Sequence, residues 1–267
     1  MAGIASNLKD GTLDEEGLTA ALLAWFARAG RDLPWRRTRE LYPVLVSEVM
    51  LQQTQVSRVV VRWPVWMARW PTANALAAAP LADVILCWSG LGYHRRAVNL
   101  HGAATRIATD GEPRSYAELL LLPGVGPYTA AAVAALALGE DRVPVDVNVR
   151  RVLSRALGVD TITPPPGRAA ELTEALFDLG ATVCIARRPR CAACPLAPDC
   201  PTRGATFSPA RRQVPFAGSH RQRRGELLRQ VGAGAIEIDA AEPEIVKSLV
   251  RDGLVVVRGG RITLPGR

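Results

Sequence analysis

Lysine is almost missing from this chain: Lys9 and Lys247 are the only two among 33 basic residues, and the rest are arginine. Chemistry that needs a lysine amine in the body of the chain is thereby excluded. Histidine is scarce too, with three residues and none among the clustered cysteines, which argues against a mixed Cys/His zinc site. No apolar run is long enough to span a bilayer; Ala130–Leu138 is apolar but short. Nothing at the N-terminus reads as a signal peptide, so the expected location is the cytoplasm, with no membrane partner. In that compartment the five cysteines are metal ligands or free thiols rather than disulfides.

What is abundant is arginine. The 267 residues carry a formal net charge of +8, and an excess of this size suggests a polyanionic partner. Arginine suits phosphate recognition, although heavy use of Ala, Arg, Gly and Pro also follows from a GC-rich genome. A hydrophobic content of 48% is that of a globular protein, with length for one large domain or two.

Residues 1–12 read as disordered, and Thr12-Leu13-Asp14-Glu15 resembles a capping box before a helix that Pro34 ends. From Val44 one helix is expected to run to about Val61. It carries Ser47-Glu48-Val49-Met50-Leu51-Gln52-Gln53-Thr54-Gln55. Glu48 lies on a mostly apolar face, where burial disfavours the charged form and suits a general acid; a salt-bridged surface glutamate is the plain alternative. The amides of Gln52 and Gln53 can contact bases or simply be solvated. Trp63 to Pro80 reads as helix, proline turn and short helix, and Leu81–Trp88 as another. A glycine turn, Gly90-Leu91-Gly92-Tyr93, then opens a basic helix. Tyr93 could stack on a base, with Arg95 and Arg96 near phosphates, or fill core.

Leu122-Pro123-Gly124-Val125-Gly126-Pro127-Tyr128-Thr129-Ala130 joins two apolar helical patterns. It is an ordinary αα turn, or a hairpin whose Gly124, Val125 and Gly126 amides meet a phosphate. Asp146 and Asn148 precede a helix expected over Val149–Leu157, where either can act as an N-cap or Asp146 can face a substrate sugar. Arg168–Val183 reads as an amphipathic helix. Cys184, Cys191, Cys194 and Cys200 then form a C-x6-C-x2-C-x5-C array within 17 residues. Four thiolates can close around zinc or an iron–sulfur cluster. Residues 206–222 read as a linker, and 223–267 as helix, helix and a hairpin at Gly259-Gly260, like a small winged-helix unit.

Taken together, Pro123-Gly124-Val125-Gly126, Val145-Asp146 and the four-cysteine array resemble the helix–hairpin–helix DNA glycosylases of the endonuclease III superfamily. The Ser47–Gln55 motif, with Leu33-Pro34-Trp35 before it and Gly90-Leu91-Gly92-Tyr93 after it, resembles the MutY-type adenine glycosylases. The resemblance implies an all-α, two-domain fold: a six-helix domain over about 31–146, and a cluster domain from about 13–30 plus 147–205, holding a [4Fe-4S] cluster on Cys184, Cys191, Cys194 and Cys200. It implies a monomer that binds double-stranded DNA containing a mismatch or oxidised guanine. Adenine opposite 8-oxoguanine or guanine would be excised, with Glu48 as general acid/base and Asp146 stabilising positive charge on the deoxyribose. Gln53 matches a residue that inserts into the base stack, and Tyr93 one that intercalates beside the opposing guanine. Trp35, Arg36, Leu51 and Glu174 fall where relatives line the adenine pocket. Tyr128 stands where lyase-competent relatives carry a lysine, so a monofunctional glycosylase is expected.

Two departures bear on specificity. Residues 203–267 are too short and wrongly patterned for the Nudix-like domain with which many MutY-type proteins read 8-oxoguanine. Val147 and His94 replace a common glycine and a common second tyrosine. The Val145-Asp146-Val147-Asn148 sequence with Tyr128 also resembles the T:G mismatch thymine glycosylases, so a thymine or uracil glycosylase is the alternative enzyme. A non-catalytic lesion-binding protein is the third reading, disfavoured because Glu48 and Asp146 are both retained.

Overall fold

The computed structural model describes residues 13–206 and 216–266. The expected disorder of residues 1–12 and much of the expected linker fall outside these. In order along the chain come α1 (Glu15–Ala29), α2 (Leu41–Leu51), α3 (Val56–Arg69), α4 (Ala73–Ala77), α5 (Leu81–Cys87) and α6 (Arg95–Asp110). Then follow α7 (Tyr116–Leu119), α8 (Pro127–Ala137), α9 (Val147–Ala156), α10 (Ala169–Thr182), α11 (His220–Ala233), β1 (Ile236–Glu237), α12 (Pro243–Arg251), β2 (Val256–Arg258) and β3 (Arg261–Thr263). The chain divides into two compact units, Met1–Asp32 with Ala134–Arg211, and Leu33–Val133 with Arg212–Arg267. The division falls inside α8 rather than near Asp146, and residues 212–267 group with the larger helical unit.

In the first unit α1, α9 and α10 pack Leu18, Leu22, Val152, Leu153, Leu172, Leu176 and Leu179 into one apolar cluster. Each fully buried leucine contributes roughly 1.5–3 kcal/mol. Asp14 caps α1 by accepting from Gly17 N at 2.8 Å. The helix stops at Ala29, before Pro34. Just beyond it, Arg31 donates from its backbone N and its Nε to the buried Asp178 carboxylate of α10, at 2.7 and 2.8 Å.

In the second unit Trp66 and Trp88 are wholly buried and meet edge to face, 5.4 Å between centroids. Tyr42 Oη donates to the Trp70 carbonyl at 3.0 Å. Pro64 lies inside α3, where it removes one N–H bond but does not end the helix; the expected proline turn falls at Pro71, between α3 and the short α4. The expected single helix from Val44 to Val61 is instead two, α2 and α3, separated by residues 52–55. The break coincides with the polar run Gln52-Gln53-Thr54-Gln55, which ends the apolar stretch but, being rich in a good helix former, does not by itself announce a helix end. The C-terminal strands form an antiparallel sheet in the order β1-β3-β2, with Ile236 and Val257 both registered against Ile262. β1, two residues long, is too short to leave an alternation in the sequence. Leu227, Leu228, Val231, Leu249 and Leu254 bury against Ala82 and Ile85 of α5, so this segment shares a core with the helices before it.

Candidate active site

Glu48 sits one turn from the end of α2, a helix with ten of its eleven residues buried, and is itself 5% exposed. Leu51, the last residue, is half-buried. The chain then leaves the helix through Gln52 and Gln53, and Gln53 takes a left-handed backbone with φ 54°. A non-glycine residue pays about 1–2 kcal/mol for that conformation. Gln52 points inward: its Nε2 donates to Oγ1 of the buried Thr129 at 3.0 Å, which joins the end of α2 to the first turn of α8. Gln53 is exposed.

The residue that sequence reasoning misplaced is Arg96. Expected near phosphates, it is 8% exposed and faces the protein interior. Its Nη1 donates to the carbonyls of Val49, Met50 and Gln52 at 2.7, 2.9 and 2.7 Å, which caps α2 with a cation where the helix dipole favours one. Its Nη2 donates to Thr54 Oγ1, Leu91 O and Gly92 O at 2.9, 3.2 and 2.9 Å. Burial pushes the guanidinium down to about 10, so it remains charged at neutral pH. Tyr93, by contrast, is 41% exposed and has φ 47°.

At the hairpin, α7 ends at Leu119 and α8 starts at Pro127, whose missing N–H costs nothing at a first helical position. Gly124 is left-handed with φ 76°, and a Cβ there would lie 2.6 Å from Cβ of Asn99 on α6. Only glycine lets the turn approach α6 this closely. Val125 is buried and Gly126 exposed. Tyr128 is half-buried in the first turn of α8.

Asp146 is the N-cap of α9. Its Oδ1 accepts from the backbone N–H groups of Asn148 and Val149, both at 2.7 Å, and its Oδ2 from Asn148 Nδ2 at 2.8 Å. The helix begins at Val147, so Asn148 lies inside its first turn rather than before it. Asn148 is fixed in turn by Arg151, whose Nη2 donates to Asn148 Oδ1 at 2.9 Å and to Gly180 O at 2.8 Å. A Cβ on Gly180 would stand 3.0 Å from Asn148 Cβ, so the glycine keeps α10 close enough for this contact. Arg151 Nε donates to Cys184 O at 2.9 Å. The N-cap and a fixed carboxylate are therefore the same structure, not alternatives.

The array beyond α10 encloses a cavity lined by Cys184, Cys191, Cys194 and Cys200 together with Arg155 and Thr202. Arg155 Nη1 lies 3.5 Å from Cys184 Sγ, and Gly204 N donates to Cys191 Sγ at 3.4 Å. Burial, and then the proximity of the other three thiols, pushes Cys194 up to about 11. Among the described residues no three metal-binding side chains converge tightly enough to close on a single ion. The soft, all-thiol donor set fits an iron–sulfur group.

Residues 46–177 match the HhH-GPD superfamily of base excision DNA repair proteins. An adenine DNA glycosylase of Mycolicibacterium smegmatis is 43% identical over 92% of this chain and 95% of its own length. The human adenine DNA glycosylase is 41% identical over 68% of this chain and 39% of its own. The chain belongs to the HhH-GPD superfamily. Among solved structures, a thermostable thymine-DNA glycosylase superposes with a TM-score of 0.65 at 27% identity, covering 70% of this chain and 95% of that one. An endonuclease III–DNA complex, at 24% identity and a TM-score of 0.59, shares the fold.

As a member of this superfamily the chain has its remaining expected pocket residues in two places. Trp35 is buried in a short 3-10 turn and meets Trp63 edge to face at 6.5 Å, with the half-buried Arg36 beside it. Glu174 is buried in α10, in the other unit. Among the described residues no helix is long and apolar enough to cross a membrane.

Proposed function

We propose that this HhH-GPD protein is an adenine DNA glycosylase of base excision repair, which hydrolyses the N-glycosidic bond of adenine opposite 8-oxoguanine or guanine in duplex DNA. The observation that carries the reading is the 43% identity to a mycobacterial adenine DNA glycosylase along 92% of the chain. The site residues support it. Glu48, buried on an apolar helix, protonates the departing adenine and so makes it a better leaving group. Asp146, held by three N–H donors, offers a fixed anion to the oxocarbenium-like sugar. Water completes the hydrolysis. Gln53 inserts into the base stack as the target nucleotide leaves it and Tyr93 intercalates beside the opposing guanine, while the Gly124–Gly126 turn holds phosphate through its backbone. Trp35, Arg36, Leu51 and Glu174 shape the adenine pocket. Cys184, Cys191, Cys194 and Cys200 hold a [4Fe-4S] cluster that stiffens the basic loop Arg187–Arg190, and residues 223–267 form a winged-helix-like unit. Tyr128 limits the enzyme to base removal.

Single-turnover assays on A:8-oxoguanine, A:G, T:G and U:G duplexes, followed by alkaline cleavage, test this. Adenine release is expected, with loss of it in Glu48→Gln. Release of thymine or uracil alone would instead establish the mismatch pyrimidine glycosylase, a reading favoured by the likeness to the thymine-DNA glycosylase structure. A borohydride-trapped adduct mapping near residue 128 would refute monofunctional action.

A further inference from the structure

Among the described residues two that are not glycine have a left-handed backbone, Gln53 and Tyr93. These are also the two residues proposed to enter the DNA stack. Such conformations persist only where the surroundings over-determine them. The two residues lie in different loops, one after α2 and one before α6. We propose that Arg96 is a positioning residue that locks the Gln53 and Tyr93 loops into one reading element, so that extrusion of the target base and inspection of the opposing base occur together. This inference rests on the adenine glycosylase reading.

The bonds run to both loops at once. Arg96 Nη1 donates to Gln52 O, the carbonyl preceding Gln53, at 2.7 Å. Arg96 Nη2 donates to Gly92 O, the carbonyl preceding Tyr93, at 2.9 Å, and its Nε approaches Tyr93 O at 3.4 Å. Thr54 Oγ1 accepts from Nη2 at 2.9 Å and donates to Leu91 O at 3.1 Å, a second link across the two loops. The guanidinium also lies 5.7 Å from the Tyr93 ring. Among the described residues Arg96 makes no ion pair; carbonyl dipoles, the Thr54 hydroxyl and the Trp88 and Tyr93 rings balance its buried charge. Moving either loop therefore strips acceptors from a cation that water cannot reach, and the cost falls on the other loop as well. A rigid fork of donors is required. A lysine would bring one ammonium with three protons at a single point, and could serve one loop but not both.

The test compares Arg96→Lys and Arg96→Met with wild type and with Gln53→Ala/Tyr93→Ala in the full chain. Single-turnover excision from A:8-oxoguanine and A:G duplexes is measured together with DNA affinity, thermal melting and the fluorescence of 2-aminopurine placed at the target position. Arg96→Lys should slow excision by roughly 10–100-fold with a much smaller change in affinity, because misplacing the reading groups acts on the reacting geometry. It should weaken the 2-aminopurine extrusion signal and narrow the preference between the two duplexes. In the Gln53→Ala/Tyr93→Ala background the same change should cost only about 2-fold, since residues acting as one unit are not additive. Should Arg96→Met fail to fold, Arg96→Lys carries the test. Wild-type rates in Arg96→Lys, or fully additive losses in the combined variant, would overturn the assignment of Arg96 alone. Wild type that releases no base from either duplex would overturn the functional reading, and this inference with it.

Discussion

Two helix ends are built as electrostatic opposites. At the start of α9 an anion, Asp146, gathers two backbone N–H groups; at the end of α2 a cation, Arg96, gathers three carbonyls. Both arrangements answer the same need, orphan groups at a helix terminus, and both agree in sign with the helix dipole. Their reach differs. The partners of Asp146 lie two and three residues away, and the backbone between is ordinary. The α2 carbonyls bound by Arg96 lie 44 to 47 residues away, and the loops it serves contain two left-handed residues. The first end holds a charge still by local means. The second holds strained loops in place by a contact that exists only once the fold has formed.

Separating charge from capping at Asp146 gives the largest expected effect. Asp146→Asn keeps an oxygen that can accept both backbone N–H groups, so the helix end should survive while the anion is gone. Excision should fall about 10³-fold, in line with the removal of a preorganised charge from a developing cation. Asp146→Ala should lose the same activity and a further ~1 kcal/mol of stability from the missing cap. Single-turnover rates and melting curves of the two variants would show whether the N-cap and the catalytic anion are distinct roles of one carboxylate. Equal rates in Asp146→Asn and wild type would sink the mechanism.

Arg151 extends the anionic end toward the cysteine loop. Arg151→Met would leave Asn148 Oδ1, Gly180 O and Cys184 O without the donor they share. Unpairing these groups should cost about 2–3 kcal/mol, seen as a melting point lower by roughly 5–10 °C for a chain of this size. Unchanged melting would mean that water replaces the guanidinium at all three acceptors.

The contrast in reach also decides what could be read from the sequence. Asp146 before Asn148 is a local signal, and the N-cap reading follows from three adjacent residues. The four cysteines are local as well, and the cavity they line is closed by their own loop together with Arg155 of α9. The break between α2 and α3 falls on the polar run Gln52–Gln55, but glutamine is a good helix former, so the run reads equally well as a solvated helical turn; the contacts that cap α2 come from Arg96, far along the chain. For the same reason Arg96 looked like a phosphate ligand: a run of His94, Arg95 and Arg96 at a helix start shows that the helix is basic, not which residue turns inward. Residues 223–267 read as a separate winged-helix-like unit because nothing local to either segment marks that Leu227, Leu249 and Leu254 pack on Ala82 and Ile85 of α5.

Acid should weaken the cationic end in particular. His94, beside Arg96, is pushed down to about 4 by burial first and then by Arg224 and Arg96. A base with a lowered folded value takes up a proton more readily when unfolded, so stability falls as pH drops from about 6.5 toward 4. At pH 5 the loss from this one group should be about 1–2 kcal/mol. His94→Asn should flatten the melting curve against pH across that window. An identical slope in the variant would assign the acid sensitivity elsewhere.

The smallest effect is expected where the C-terminal segment touches the helix that carries Arg96. Asp252 pairs with Arg224 of α11 and, at 3.4 Å, with Arg95 of α6. Arg95 is 62% exposed, so salt and water screen that half of the contact, and a pair of this kind contributes less than about 1 kcal/mol. Arg95→Gln, which leaves the less exposed Arg224–Asp252 pair intact, should therefore shift melting by only a degree or two in low salt and not at all in high salt. The apolar cluster around Leu249, Leu254 and Ile85 does the holding instead, and Leu249→Ala should cost about 2–4 kcal/mol. If Arg95→Gln proved the more damaging of the two, the segment would be held to α6 by its charges, and the polar contact at Arg95 would join Arg96 in fixing the Tyr93 loop.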